Sequence, residues 1–303
     1  MIQFLAVFLL LASLLGLLSP LITPVFNGQV SQLAWLFDLA SHWQGLYALL
    51  LILSLVGLVP KHKAWLFTLC ALALPLISAS PQLPKASGSN QLLKILSSNV
   101  YVGNSNLSTL KALIDLEKPD IIVLLEFTPA HQQQVATWTD YPQQFLNPKS
   151  QHNAFGMAIL SRLALSNQHI ITDGHGIEHL VTQVAYQNQS IKLIGFHPLP
   201  PINQTAHVIR DQVLQDLTQS SEQPTLIAGD FNASPWSSAF KGLAAKGFYR
   251  TLNLWPTWPA KGKGLFGIPI DQVLASKQWH KIDTKIADSI GSDHYPIVVE
   301  LSL

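Results

Sequence analysis

The 303-residue chain is 48% hydrophobic and only 12% charged, with a mean hydropathy of +0.27. It is longer than one modest domain needs and more apolar than a soluble protein usually is, so part of it belongs in a membrane. Of its 18 basic and 17 acidic residues only Lys61, Lys63 and Asp38 precede Ser80. The rest of the chain therefore has no net formal charge, and none of the basic field that guides proteins to nucleic-acid phosphates.

Three apolar runs free of Asp, Glu, Lys and Arg come first in the chain: Ile2 to Leu18, Trp43 to Val59 and Ala64 to Ala79. A spanning helix needs about 20 mostly apolar residues and at least about 17. The first two runs qualify and the third is slightly short and carries Pro75, so about three transmembrane helices are expected within residues 1–80. A cleaved signal peptide is the rival reading of the first run, but its start has no Lys or Arg and two more apolar runs follow. Lys61 and Lys63, in the tight Pro60–Lys63 connection, put that turn in the cytoplasm. With three crossings of an inner or plasma membrane, everything after about Ser80 lies outside, in the periplasm of a Gram-negative cell; without the third crossing the orientation reverses. The single cysteine, Cys70, lies in the third run, so no disulfide can form within the chain.

Pro81 to Asn90 (PQLPKASGSN) has the composition of a linker, and one domain, residues 92–303, follows. Strand-length apolar runs recur there at Leu92–Tyr101, Ile121–Phe127, Gly156–Leu160, Leu180–Tyr186, Ile191–His197, Thr225–Phe231, Ile270–Ala275 and Ile297–Leu303. Helical patterns stand at Leu107–Leu116 and Thr205–Leu217. Leu180–Phe196 reads as a hairpin and Leu92–Phe127 as strand, helix, strand, so an α/β sandwich with mixed sheets is expected.

Polar side chains close several of these runs: Asn99, Glu126, His197, then Asp230 and Asn232 in GDFNASPW (Gly229 to Trp236). Asp293 and His294 stand just before the last run, and Asp271 lies in Ile270–Val273. One polar strand end is ordinary capping, but five can converge at one rim of a sandwich. The chemistry that suits such a cluster is attack of water on a phosphate ester. A hard cation such as Mg²⁺ binds through one or two carboxylates, here Glu126 and Asp293. Asn99, Asn232 and a protonated His197 can steady the phosphate's charge. His294, oriented by Asp271, is a candidate base, since imidazole titrates near neutrality.

The order SNV (Ser98 to Val100), LLE (Leu124 to Glu126), GMAILSR (Gly156 to Arg162), GFHPLPP (Gly195 to Pro201), GDFNASPW, IDQV (Ile270 to Val273) and SDHYP (Ser292 to Pro296) resembles the endonuclease/exonuclease/phosphatase (DNase I-like) superfamily. The GDFN and SDH boxes are its specific elements. The resemblance implies a four-layered α/β/β/α sandwich that hydrolyses phosphoesters with Mg²⁺ or Mn²⁺. It also implies Glu126 as principal metal ligand with Asn99 and Asp293 near the metal, and Asp230 aligning or deprotonating the water. Asn232 would hold a phosphate oxygen, His197 and His294 would flank the phosphate, and Asp271 would orient His294; the base is left between Asp230 and His294. Gln272 stands where many relatives have His. The HPxPP form and the apolar N-terminus are most similar to the membrane-attached bacterial subgroup.

Outside these boxes, Arg210 either reaches a phosphate or lies on a solvated helix face beside Asp211, and His207 reads as a surface residue. Trp258, in the aromatic corner Trp255–Trp258 before the Lys261–Gly264 loop, is a candidate for stacking a base or sugar ring or touching lipid headgroups. His175 and His179 lie among glycines that disfavour a helix, and read as no metal site. The expected activity is a membrane-tethered, metal-dependent phosphoesterase acting on a phosphodiester or phosphomonoester, with a lipid headgroup, nucleotide or nucleic acid as substrate. The alternatives are a nuclease acting on DNA or RNA and a non-catalytic envelope protein binding a phosphorylated ligand. No protein partner is inferred.

Overall fold

The computed structural model describes residues 2–26, 32–58, 63–86, 91–220 and 222–303. Lys61, on which the orientation argument partly rests, and residues 87–90 of the linker lie outside the described residues. The N-terminal region comprises α1 (Ile2–Ile22), α2 (Gln32–Ser41), α3 (Gln44–Leu58), a 3-10 segment (Lys63–Ala73) and α4 (Leu74–Ser78). Leu10 and Leu17 of α1 pack on Leu51, Leu55 and Leu58 of α3, while Phe4, Phe8, Leu11 and Leu15 form an exposed apolar stripe.

About three crossings were expected; among the described residues one helix, Gln3–Val25, is long and apolar enough to span. The second run forms α3, which passes as a second span only when counted together with α2, from which it is bent by 72°. The third run winds as a 3-10 helix up to Ala73, and Pro75, which has no N–H to give, sits at the start of the short α4. The outward placement of residues 92–303 depended on three crossings and loses that support.

The remaining chain builds two six-stranded mixed sheets. The first orders as β11-β12-β1-β2-β4-β3, with β1 (Leu93–Asn99), β2 (Ile121–Leu125), β3 (Gln143–Asn147), β4 (Met157–Ser161), β11 (His280–Ile286) and β12 (Ile297–Ser302). The second orders as β5-β6-β7-β8-β10-β9, with β5 (Leu165–Thr172), β6 (Glu178–Tyr186), β7 (Gln189–Phe196), β8 (Thr225–Asp230), β9 (Phe248–Arg250) and β10 (Asp271–Ser276). A core that includes Ile95, Val123, Leu193 and Val273 lies between the sheets. Helices α5 (Ser108–Glu117) and α6 (Pro129–Val135) cover the outer face of the first, and α7 (Gln204–Leu217) covers the second. The result is the expected four-layered sandwich.

The eight strands legible in the sequence are the eight inner ones. Inner strands are covered on both faces and so carry continuous apolar runs; β2, β4, β8 and β10 are buried at every position. The four that were not legible, β3, β5, β9 and β11, are the four sheet edges, where polar residues are tolerated. At the start of the linker the Leu83 N–H donates to Arg250 O and the Ala86 N–H to Lys281 O, which lays residues 83–86 across the ends of β9 and β11.

Each sheet contains one parallel pair joined through a helix, β1/β2 through α5 and β7/β8 through α7. Parallel pairing puts two C-terminal strand ends side by side. Antiparallel β10 starts where β8 ends, pairing Asp271 with Asp230, and antiparallel β12 brings the segment before it back to the end of β1. This topology gathers polar strand ends at one rim.

Candidate active site

Asn99 ends β1 and Glu126 follows β2. The Asn99 Nδ2 amide donates to Glu126 Oε1 at 3.0 Å and to Asp230 Oδ2 at 3.4 Å, and lies 3.4 Å from His294 Nε2. Its oxygen is turned to the Tyr101 N–H at 3.0 Å, so Asn99 presents a donor to the rim and not an oxygen ligand. The Val102 N–H holds Glu126 Oε2 at 2.9 Å. From the other sheet, Asp230 Oδ2 lies 3.6 Å from His197 Nε2 and 3.7 Å from His294 Nε2, and His294 Nδ1 is 2.9 Å from Asp271 Oδ2.

Backbone geometry at the rim is unusual in ways that fit a site. Glu126 and Asn232 have φ of 57° and 47°, in the left-handed region that non-glycine residues adopt only when surroundings enforce it. Gly229 is required by proximity: a Cβ there would stand 1.9 Å from the Phe196 carbonyl oxygen, so only glycine lets β7 and β8 close up beside Asp230. Phe231 turns into the core, its ring 5.0 Å from Phe196 and 5.6 Å from Phe240, while Asp230 and Asn232 on either side line the cleft. The Asn232 amide donates to Pro198 O at 3.0 Å, and its backbone N–H donates to Asp230 Oδ1 at 2.9 Å.

The two histidines differ in charge state. Burial lowers the pKa of His197 to about 4, against the pull of Asp230, so it is neutral at neutral pH and not the imidazolium expected. Burial also opposes protonation of His294, but Asp271 and Asp230 outweigh it and raise its pKa to about 10. His294 thus does not titrate near neutrality; it holds its proton. Burial raises Asp230, against the two histidines, and raises Glu126.

Among the described residues, Asp230, Asp271 and His294 bring ligand atoms within 4.8 Å of one another, but a protonated His294 paired to Asp271 is a poor cation ligand. The better set is Glu126 with Asp293. Among the described residues Asp293 Oδ1 is buried without a hydrogen-bond partner and Oδ2 accepts from Trp258 Nε1 alone, at 3.2 Å, and Glu126 and Asp293 line the same cleft. Two half-buried carboxylates facing one cleft, one of them with an oxygen left over, fit a hard divalent cation.

The cleft, about 510 Å³, is also lined by Phe155, Trp258, Leu39, His42 and Trp43, and among the described residues by no Lys or Arg. Trp258, the candidate for stacking, has its ring centroid 6.4 Å from that of His294. Arg210 does not line the cleft. Its guanidinium is buried behind the rim, donating to Asp38 Oδ2 at 2.8 Å, Asp211 Oδ1 at 2.7 Å, Ser237 Oγ at 2.9 Å and Asn232 O at 2.9 Å, so it steadies the Asn232 turn and reaches no cleft. His207, read as a surface residue, is buried beside the same Asp38 at 3.5 Å.

Leu39, His42, Trp43 and Asp38 were all missed, because they lie in the N-terminal region. Asp38 is the only acidic residue before Asp115 in an otherwise apolar stretch, and that isolation was the available signal. Helix α2 is docked on the sandwich: Trp35 Nε1 donates to Pro201 O at 2.7 Å, and the Ser234 N–H donates to His42 Nδ1 at 3.1 Å.

The endonuclease/exonuclease/phosphatase family model matches residues 96–294, well over half of the chain. The chain belongs to this family. Solved structures similar to this family member include an endonuclease/exonuclease/phosphatase protein from Beutenbergia cavernae (17% identity, TM-score 0.60, covering 71% of this chain and 72% of that one). D. rerio TDP2 in complex with a single-strand DNA product is another (20% identity, TM-score 0.58, covering 71% of this chain and 100% of that one). The human Nocturnin catalytic domain with a bound sulfate anion is a third (18% identity, TM-score 0.54, covering 72% and 95%). At these identities they show the shared fold alone. Comparison with curated protein sequences gives no match.

Proposed function

We propose that the protein is a membrane-attached, divalent-metal-dependent phosphoesterase, with α1 as the anchoring span. The observation that carries the reaction class is the convergence of Glu126, Asp293, Asp230, His197 and His294 on one cleft at the sandwich rim. Glu126 and Asp293 are the residues to hold Mg²⁺ or Mn²⁺, which supplies Lewis-acid polarisation of a phosphoryl oxygen when bound. Asp230, a carboxylate whose affinity for a proton is raised by burial, takes the proton from the attacking water. His294, cationic between Asp271 and Asp230, stabilises charge developing on the phosphoryl oxygens. Neutral His197 and the amides of Asn232 and Asn99 orient the phosphate or the groups around it.

A small phosphoester or lipid headgroup fits the cleft better than a polynucleotide, since among the described residues no Lys or Arg lines it to meet successive phosphates. A nuclease is the second reading, suggested by the similarity to the DNA-bound D. rerio TDP2. The test uses the full chain, because α2 forms part of the cleft wall. On a panel of phosphodiesters, phosphomonoesters, DNA, RNA and headgroup-labelled vesicles with Mg²⁺ or Mn²⁺, turnover is expected on small or lipid esters. EDTA should stop it, and Glu126→Ala should lower it by at least about a hundredfold. Turnover indifferent to both treatments would overturn the proposal, and exclusive turnover of DNA or RNA would establish the second reading.

A further inference from the structure

A second cavity, of about 620 Å³, adjoins the cleft, and His42 lies in the wall of both. Leu46 and Leu49 of α3 form one side, and Leu254, Trp255, Leu265 and Phe266 form the other. Among the described residues, no Asp, Glu, Lys or Arg lines it. Trp236, also in its wall, has its one polar atom engaged by Pro75 O at 2.7 Å and leaves only apolar ring surface to the space. At the loop, Trp255, Leu265 and Phe266 are 60%, 65% and 55% exposed, an apolar cluster of the kind that marks an interaction site.

Several features identify the occupant. The groove and the cleft share His42 as a wall residue, and Ile268, Pro269 and Ile270 pass from one to the other, so the simplest ligand for both is one molecule with a phosphate head and an uncharged remainder. Among the described residues the groove offers no charged group to read a peptide or a second phosphate. Its α3 wall packs on α1, whose outward stripe of Phe4, Phe8, Leu11 and Leu15 is apolar, so a chain running out along α3 stays in apolar surroundings. We propose that the groove between α3 and residues 254–269 binds the alkyl or acyl chain of an amphiphilic phosphoester whose phosphate occupies the cleft; the proposal rests on the phosphoesterase reading above.

Gly45 supplies the test. It lines the groove near the start of α3, and a Cβ added there meets no atom within 4 Å, so Gly45→Phe fills the space without displacing the helix. Phe266→Asp, at an exposed position, sets a charge at the groove mouth and guards against a failure of the first variant to fold. The full chain in nanodiscs is titrated with n-alkylphosphonates from ethyl to dodecyl, followed by intrinsic tryptophan fluorescence, and assayed on p-nitrophenyl alkyl phosphates from methyl to dodecyl. Long chains partition into the nanodisc whatever the protein does, so the quantity compared is the ratio of wild type to variant. That ratio is expected to grow with chain length, by as much as roughly threefold per methylene while the groove has room. A ratio that stays constant with chain length in both readouts overturns the groove. So does a nucleoside monophosphate that binds more tightly than dodecylphosphonate and loses that advantage in Gly45→Phe. Chain-length-dependent phosphonate binding without hydrolysis of any ester supports the groove and overturns the phosphoesterase reading instead.

Discussion

Two buried acid–histidine clusters flank the segment Phe231–Ser238, and their compositions are nearly the same. On the cleft side stand Asp230, Asp271, His197 and His294; behind it stand Asp38, Asp211, His207 and His42. The rear cluster contains a permanent cation, Arg210, whose guanidinium engages both carboxylates, and Ser237 and Ser238 donate further hydrogen bonds to Asp38. The cleft cluster has no such cation. Its carboxylates are balanced only by His294, and Asp293 Oδ1 and His197 Nδ1 remain buried without partners. Both clusters keep unpartnered histidine nitrogens, His42 Nε2 and His207 Nδ1 behind and His197 Nδ1 in front, so the difference between them is charge. Carboxylates matched by a permanent cation hold a fold together, and a carboxylate with an oxygen left over in a cleft wall, as at Asp293, is prepared for a ligand.

The largest expected effect separates the two clusters by function. Asp230→Asn keeps the shape of the side chain and is expected to lower kcat by on the order of a thousandfold with an unchanged melting temperature, since proton transfer supplies about 10²–10⁴ in rate. A loss of both activity and stability would mean that the cleft cluster is structural too. Asp38→Asn is the converse. It leaves Arg210 buried with one carboxylate instead of two, and should cost about 3 kcal/mol, the low end for a broken buried pair because Asp211 remains. Thermal or denaturant unfolding measures this, and the cleft's pH profile should keep its shape.

The smallest effect is the sharpest. His294 binds its proton below a pKa of about 10 and releases it above, so activity should decline on an alkaline limb near that pH. The linkage to stability has the same sign: the contribution of the His294 pairing is complete below the ordinary value of 6.5 and is lost as pH rises through about 10. Asp271→Asn removes the nearest carboxylate and should move the alkaline limb down in pH while activity on the plateau falls less than in Asp230→Asn. An unmoved limb would show that another group sets it.

Much of the sandwich was legible. Its inner strands are buried on both faces, and burial forces apolar runs that stand out in a sequence; its edges are wetted, so β5 and β11 alternate with polar residues and left no such mark. The rim residues were legible for a related reason. A polar side chain at the end of an apolar run interrupts a strong pattern, as Glu126, His197 and Asp230 do. Arg210 and His207 were misread because on an isolated amphipathic helix they face outward, and nothing local indicates that α2 covers them. Asp38, some 170 residues away in sequence, forms their counter-charge.

The sequence by itself determined which strands form the interior, which polar residues end them, and the family to which the chain belongs, since these follow from local alternation and from short motifs. Only the tertiary structure decided what each polar residue is. His197 and His294 are the same residue type at equivalent rim positions, yet one is neutral and the other a cation, because charge state depends on burial and on carboxylates that folding brings to within about 4 Å. The tertiary structure likewise decided that the N-terminal helices do more than anchor. Packing laid α2 against GDFNASPW, which put Leu39, His42 and Trp43 into the cleft wall and turned an isolated aspartate into the brace behind the candidate active site.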